Sequence, residues 1–215
     1  MVKESVDYKI DPDPHGLGKR FILQTNWRKD FLNLIKDNRI GSILLSEYAG
    51  WRESSVAFLA ELPRLKEVSI WSRFVTDLEP LSGLSRLQYL SLLCPAKTNM
   101  DFTVFPELKE LFLEWRKEYD AIHGNNQLQK IHILKYPHAD LTKWRRSARL
   151  RVLGISDAKL KTLEGLESFP NLQELSLVQC RTVKSLDPVR FTPRIKSLEF
   201  YKCYQLEGIR IANPV

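Results

Sequence analysis

The side chains best suited to chemistry in this chain are four histidines and three cysteines. They are His15, His123, His132 and His138, with Cys94, Cys180 and Cys203. Zinc and metalloprotease sites place such residues in CxxC or HExxH pairs, and neither spacing occurs in the sequence. The pattern therefore predicts no catalytic residues, no metal site and no cofactor.

Further patterns bear on phosphate binding and on the cellular compartment. The segment GLGK (16–19) lacks the GxxxxGK[ST] spacing of a phosphate-binding loop and is interpreted as a turn.

Three cysteines are odd in number and too few for a disulfide scaffold in 215 residues, which favours a reducing compartment. The N-terminus shows no apolar signal-peptide core, and no stretch approaches the roughly 20 apolar residues of a membrane span. We therefore expect a soluble, cytoplasmic protein with no membrane partner.

The composition is that of an ordinary globular protein, with 43% apolar and 27% charged residues. A chain of 215 residues can bury one substantial core, so a single domain is expected. The formal net charge of +7 is compatible with a nucleic-acid partner and equally with scattered lysines. The distribution of charge has to decide between them.

An aliphatic residue opens the pattern LxxLxL eight times, at intervals of 20 to 25 residues. The openings are Ile40, Leu65, Leu87, Leu108, Leu128, Leu150, Leu172 and Ile195. A period of this length is typical of a solenoid. Alternation within each segment predicts a short strand whose motif positions four and six point inward and whose positions three, five and seven point outward. From Leu65 onward the inward residues are all apolar: Val68, Ile70, Leu90, Leu92, Leu111, Leu113, Ile131, Ile133, Leu153, Ile155, Leu175, Leu177, Leu198 and Phe200.

These segments resemble the leucine-rich repeat family over about 175 residues, from Ile40 onward. The coil LRVLGISDAKLKTLEGLESFPN (150–171) is similar to the repeats of internalins. The resemblance implies an α/β solenoid with a curved parallel sheet, short helices and irregular turns on the convex side, and an N-terminal cap. The sequence departs from the family at motif position nine, where asparagine is common. In the last two coils that position holds Cys180 and Cys203, which we expect to be stacked, buried thiols.

The organisation along the chain follows from the repeat. Residues 1–39 are predicted to form a capping hairpin and a helix that buries Phe31, Leu34 and Ile35, and residues 40–215 form about eight coils. Within the return segments, 53–62 and 140–149 are interpreted as short helices. EGIRIANPV (207–215) offers one more strand, with Ile209 and Ile211 on one face.

The predicted outward strand face carries the candidate partner-binding residues. Large apolar side chains fall on four successive coils: Trp71, Tyr89, Leu93, Phe112, Trp115 and Leu134. The same rows hold Glu67, Glu110, Glu114, Glu174, Lys130, His132 and Tyr201, and acidic residues outnumber basic ones there. Exposed aromatic clusters are typical of interface hot spots. The alternative is that a return loop or the cap folds over them.

The sequence thus favours a non-enzymatic module that binds a folded protein through its concave face, with the glutamates steering a basic patch of the partner. It could act as an inhibitor or immunity-type neutraliser, or as an adaptor or substrate-recruiting subunit of a larger complex. Nucleic-acid association through Lys143, Arg145, Arg146 and Arg149 is the other alternative, which the concave glutamates disfavour because they would repel phosphates.

Overall fold

The computed structural model describes residues 7–206, and in this range the chain forms ten β-strands and one α-helix. The chain divides into two compact units, Met1–Leu108 and Lys109–Val215. The described elements of the first unit are β1 (Tyr8–Pro12), β2 (Lys19–Leu23), α1 (Asp30–Asp37), β3 (Ser42–Ser46), β4 (Glu67–Trp71) and β5 (Tyr89–Leu93). Those of the second are β6 (Glu110–Glu114), β7 (Lys130–Leu134), β8 (Val152–Ser156), β9 (Glu174–Val178) and β10 (Ser197–Tyr201).

In the first unit, a hairpin begins the sheet. Strands β1 and β2 pair antiparallel, and β2, β3, β4 and β5 then pair in parallel, in chain order. The turn between β1 and β2 forms because the Asp13 carboxylate accepts hydrogen bonds from the backbone N–H groups of His15 and Leu17, while Gly16 and Gly18 take positive φ angles. The predicted hairpin and helix are therefore confirmed, and α1 buries Phe31 and Ile35 as expected, with Leu34 half-buried.

In the second unit, β6 to β10 pair in parallel in chain order. Each of the strands β3 to β10 begins two residues after one of the eight predicted aliphatic openings, so the predicted register is confirmed along the whole repeat. The predicted inward residues of β4 to β9 are buried. The prediction is wrong for Leu198 in β10, which is 40% exposed. Among the described residues, β10 has a neighbouring strand on one side only.

The return segments are less helical than the sequence suggests. The predicted helix at 53–62 is a short 3₁₀ segment, Ala57–Glu61. The predicted helix at 140–149 is wrong, because backbone N–H groups there bond to neighbouring coils: Arg145 donates to the His123 carbonyl and Ser147 to the Ser168 carbonyl, at 2.9 and 2.8 Å. These backbone N–H groups would be the donors of an α-helix, and they are not available for one because they bond to the neighbouring coils.

The turns that follow β7, β8, β9 and β10 share one backbone conformation. Lys135, Asp157, Gln179 and Lys202 all take the left-handed conformation, with φ between 50 and 58°. The N–H groups of the first three donate to the strand end of the next coil, at 2.7–2.8 Å. One residue later in the last two coils, the thiols of Cys180 and Cys203 are buried as predicted and donate to the carbonyls of Ile155 and Leu177. A hydrogen bond with Cys203, together with burial, raises the pKa of Cys180.

Two expectations about the ends of the chain have different outcomes. The predicted final strand with Ile209 and Ile211 lies outside the described residues. The division into a cap (1–39) and a repeat region (40–215) remains a prediction, although strand β2 of the cap pairs directly with β3 of the repeat region.

Candidate functional site

The outward strand face of the first unit is partly covered by the hairpin. Tyr89 is half-buried and its ring stacks on His15 from the hairpin turn, with 3.7 Å between ring centroids. Trp71 is also half-buried, and its indole Nε1 donates a 2.8 Å hydrogen bond to the Ser91 hydroxyl. The hairpin turn therefore covers Tyr89 in part, while Trp71 and Leu93 each keep some surface accessible to solvent.

Glu67 does not lie on an exposed face. Its side chain is fully buried, and its carboxyl group accepts a hydrogen bond from Arg20, which also lies 3.4 Å from the Asp13 carboxylate. Burial raises the pKa of Glu67 to about 8, and its hydrogen bond to Asp13 adds to the effect. The prediction that Glu67 steers a partner is therefore wrong, because the hairpin covers this end of β4.

In the second unit, the rings of Phe112 and His132 lie on the outward strand face, where Gly154 has no side chain. Phe112 stacks on His132 with 5.1 Å between centroids, and His132 Nε2 lies 2.8 Å from the Ser156 hydroxyl. The His132 ring occupies the space above Gly154, so closely that an added Cβ would collide with it. Burial lowers the pKa of His132, which favours the neutral ring at neutral pH.

Beside this ring lies a depression of about 210 Å³. It forms because residues 154 and 176 on the outward face are Gly and Ser, with little or no side chain. Its other lining residues include Lys130, Val152, Glu174, Ser197 and Glu199. Gly154 and Ser176 stand at outward position five of the predicted register, but no sequence signal indicated that adjacent small residues would create a recess.

The acidic residues around this face differ in how they are paired. The Glu114 carboxylate accepts from Arg116 and Lys135, each at 3.0 Å, and Glu110 lies 3.9 Å from the Lys130 ammonium. Glu174 and Glu199 are exposed, and within residues 7–206 neither has an ion-pair partner. These two carboxylates, at the rim of the depression, are the ones available to an external cation.

The remaining predicted site residues separate into exposed and buried ones. Tyr201 is 52% exposed, and Leu134 is half-buried. Trp115 is only 9% exposed, so the prediction that it lies on the accessible face is wrong. It follows the end of β6, and its indole turns away from the strand face to pack against Tyr136 and His123.

Comparisons with known proteins place this geometry in a fold. No family model and no curated protein matches the chain. A crystal structure of an internalin (inlF) from Listeria monocytogenes is similar, with a TM-score of 0.52 and 16% identity over 71% of this chain and 46% of that one. The chain has the leucine-rich repeat fold. An internalin C2 (inlC2) from the same species is also similar, with a TM-score of 0.44 and 22% identity over 77% of this chain and 64% of that one.

The leucine-rich repeat fold accounts for the parallel strands and the outward rows, and at these identities the likeness concerns the fold alone. The chain spans about half the length of the first internalin and under two thirds of the second. Among the described residues, no helix combines the length and the apolar character needed to cross a bilayer.

One further cluster was missed by sequence reasoning. Asp120, His123 and His138 approach one another beside the turn that follows β7, with their potential ligand atoms all within 4.8 Å. Asp120 and His123 belong to the 3₁₀ segment Lys117–Gly124. No short motif signals the cluster, because the leucine-rich repeat brings His138 alongside the preceding coil across a long sequence interval.

Basic surfaces lie away from the outward strand face. In the first unit, a recess of about 600 Å³ at the entrance edge of the strands is lined by five cations, Lys36, Arg39, Arg64, Lys66 and Arg86, and one acid, Glu61. In the second unit, the predicted basic cluster of Lys143, Arg145, Arg146 and Arg149 is exposed as expected. It lies on an irregular segment and not on the predicted helix.

Proposed function

We propose that this chain is a non-enzymatic protein-binding module, and that the outward strand face of its second unit binds a basic segment of a folded partner. The observation that carries the proposal is the 210 Å³ depression with Glu174 and Glu199 at its rim. Both carboxylates are exposed and without an ion-pair partner within residues 7–206. A leucine-rich repeat offers its outward strand rows as one broad surface, which suits a macromolecular ligand.

The size and charge of the depression fit one long cationic side chain. An arginine of the partner could lie over Ser176, beside the His132 ring, and donate to a carboxylate in the two-pronged geometry that guanidinium groups favour. Lys130 lies on the opposite side of the recess and already neighbours Glu110. The cation of the partner is therefore expected nearer to Glu174 and Glu199.

Aromatic groups beside the depression supply the apolar part of the interface. Phe112 is half-buried against His132, and Tyr201 is more than half exposed. Aromatic anchors next to charged groups are common among residues that dominate binding free energy. Trp71, Tyr89 and Leu93 form a second accessible set in the first unit, and we extend the proposal to them as additional contacts.

The biological use of such an interface has two forms. An inhibitor or immunity-type protein would neutralise a basic partner, whereas an adaptor or substrate-recruiting subunit would deliver it to a larger complex. We place the inhibitor first because one acidic surface is enough to occupy a basic ligand, whereas recruitment also needs a second interface for the larger complex. Loss of the partner's activity in a stoichiometric mixture supports inhibition; unchanged activity favours recruitment.

The test is affinity capture from the source cells with three forms of the chain. The strand-face variant carries Phe112→Ala and Glu174→Lys, and the matched control carries Phe191→Ala and Glu164→Lys, two exposed positions in the return segments of the same unit. We expect proteins bound by the wild type and the control to be absent from the strand-face variant. Circular dichroism establishes that each variant is folded.

The captured partner is then identified and titrated against the three forms. The proposal requires that the affinity fall when Glu174 is reversed and weaken as salt rises, because exposed charge pairs are screened. Equal binding by the strand-face variant and the wild type would contradict it. Retention of nucleic acid through the basic segment 143–149, lost at high salt, would instead support the nucleic-acid alternative.

The proposed compartment is the cytoplasm. Cys94, Cys180 and Cys203 are buried, and a reducing environment would preserve their thiols. Fractionation of the source cells with an antibody to the chain tests this location, and recovery from the culture medium or the cell surface would contradict it.

A further inference from the structure

Asp120, His123 and His138 present three potential metal-ligand atoms toward one another. The Asp120 Oδ1 atom lies 3.4 Å from His123 Nδ1 and 3.9 Å from His138 Nε2. In a tetrahedral zinc site with bonds of about 2.0–2.1 Å, neighbouring ligand atoms are separated by about 3.3 Å. Of the three separations, that between Asp120 and His123 already has about this length, that between Asp120 and His138 is somewhat longer, and that between the two histidine nitrogens is at most 4.8 Å.

His138 supplies the observation that points to a missing ligand. Its Nε2 atom is shielded from solvent and has no hydrogen-bond donor or acceptor partner among the described residues. A shielded polar atom left without a partner costs free energy, so native structures retain few of them. The atom faces the Asp120 carboxylate, which is the direction in which a bound cation would lie.

The groups behind His123 can hold its ring in a metal-binding orientation. His123 Nε2 lies 3.3 Å from the Tyr136 hydroxyl, which also accepts a 3.2 Å hydrogen bond from the Trp144 indole. His123 Nδ1 lies 3.0 Å from the backbone carbonyl oxygen of Asp120 and donates to it in the tautomer that carries the proton on Nδ1. In the other tautomer Nε2 carries the proton and donates to Tyr136, and the lone pair of Nδ1 is then available to a metal ion. Histidine ligands of metals are commonly oriented by such a second hydrogen bond on the other ring nitrogen.

The environment also favours neutral rings. Burial lowers the pKa of His123 and of His138, so neither needs to lose an added proton near neutral pH before it can act as a ligand. Asp120 is exposed and contributes the anionic ligand, which offsets part of the charge of a divalent cation.

We propose that Asp120, His123 and His138 bind one Zn²⁺ ion, with a water molecule as the fourth ligand. Two imidazoles and a carboxylate are a donor set that zinc accepts. The ion would link the 3₁₀ segment Lys117–Gly124 to the turn after β7, and so tie together two neighbouring coils of one unit. Because the Asp120 side is open to solvent, the water position would be exchangeable.

The test uses the full chain, stripped of metal with a chelator and titrated with Zn²⁺ by calorimetry. We expect one ion per chain, with a rise in melting temperature upon binding. Titration with Co²⁺ should give the intense visible absorption of a four-coordinate site. The fluorescence of tryptophan should change as well, because the Trp115 ring lies 5.1 and 5.5 Å from the rings of His123 and His138.

Variants assign the ion to this cluster. His138→Ala and Asp120→Asn should each weaken Zn²⁺ binding by at least about tenfold, the lower limit seen when even an outer partner of a metal site is removed. The controls His15→Gln and His132→Ala remove histidines outside the cluster and should bind as the wild type does. Asp120 is exposed, so its variant serves as the test if His138→Ala does not fold.

Three results of the Zn²⁺ titrations would overturn the proposal. No binding by the wild type at equimolar Zn²⁺ would do so. Binding that survives Asp120→Asn and His138→Ala, or that is lost with His15→Gln, would show that the ion is held elsewhere.

Discussion

The Arg20 guanidinium on β2 donates a hydrogen bond to the Glu67 carboxyl group on β4, across the intervening strand β3. Asp13 completes the group, with its carboxylate 3.4 Å from the same guanidinium. Both carboxylates together with one arginine would bury a net negative charge, which is costly. The group becomes neutral when Glu67 keeps its proton and donates it to Asp13, which agrees with a Glu67 pKa raised to about 8.

This proton makes stability depend on pH. The pKa of Glu67 is raised from 4.5 to about 8, chiefly by burial, so the folded chain keeps a proton that the unfolded chain has released. The stabilisation is fully present below pH 4.5 and is lost as the pH rises toward 8. Burial opposes ionisation of Asp13, but hydrogen bonds, led by that from Glu67, lower the pKa of Asp13 to about 2. The ionised Asp13 therefore stabilises the fold, and this stabilisation is lost as the pH falls from 3.8 toward 2.

Glu67→Gln should remove the alkaline part of this dependence. The amide can donate to Asp13 and accept from Arg20 without a titrating proton. We expect the free energy of unfolding of the wild type to fall between about pH 5 and pH 8, and that of the variant to stay more nearly constant. Urea denaturation across this range measures both. The exposed control Glu164→Gln should follow the wild type, and a parallel decline in Glu67→Gln would show that the proton lies elsewhere.

Leu175 and Leu198 pair in register at the same motif position of adjacent strands, yet they should respond differently to truncation. Leu175 is 1% exposed and Leu198 is 40% exposed. Leu175→Ala should cost about 2–5 kcal/mol of stability through lost burial and a residual cavity. Leu198→Ala should cost clearly less, because its surroundings already admit water. Chemical denaturation of the two variants compares them directly, and equal losses would mean that β10 is packed as tightly as β9.

Gln179→Gly should stabilise the chain. Gln179 takes a left-handed conformation with φ of 56° while its N–H donates to Tyr201 at 2.7 Å. Glycine adopts this conformation without the steric cost of a Cβ, and the gain should be about 0.5–1 kcal/mol. The melting temperature reports it. The control Gln173→Gly, where φ is not positive, should lower stability; a decrease in both variants would contradict the expected relief of strain.

The sequence determined the repeat because strand alternation is local. The inward row of β8, with Leu153 and Ile155, follows from a period of two, and the aliphatic opening Leu150 fixes its start. The helix predicted at 140–149 failed for a non-local reason. Arg145 and Ser147 donate to carbonyls of neighbouring coils, and the spacing of apolar residues contains no information about those acceptors.

The sequence predicted which side chains of the candidate site point outward, but not which of them are accessible to solvent. Phe112 and His132 lie on the outward row as the register requires. Glu67 satisfies the same register and is nevertheless buried, because the hairpin turn around Asp13 covers it. Trp115 belongs to a position just beyond the strand, where the direction of the side chain depends on the packing of the return segment.

By itself, then, the sequence determined the number of coils, the register of their strands and the row on which each side chain stands, since these follow from periods of two and of about twenty-two residues. Only the tertiary structure decided which outward residues meet solvent and which distant ones meet each other. His123 and His138 come together, and Arg20 reaches Glu67. The physical reason is that burial and electrostatic pairing depend on chain segments far apart in sequence, whose approach no local pattern records.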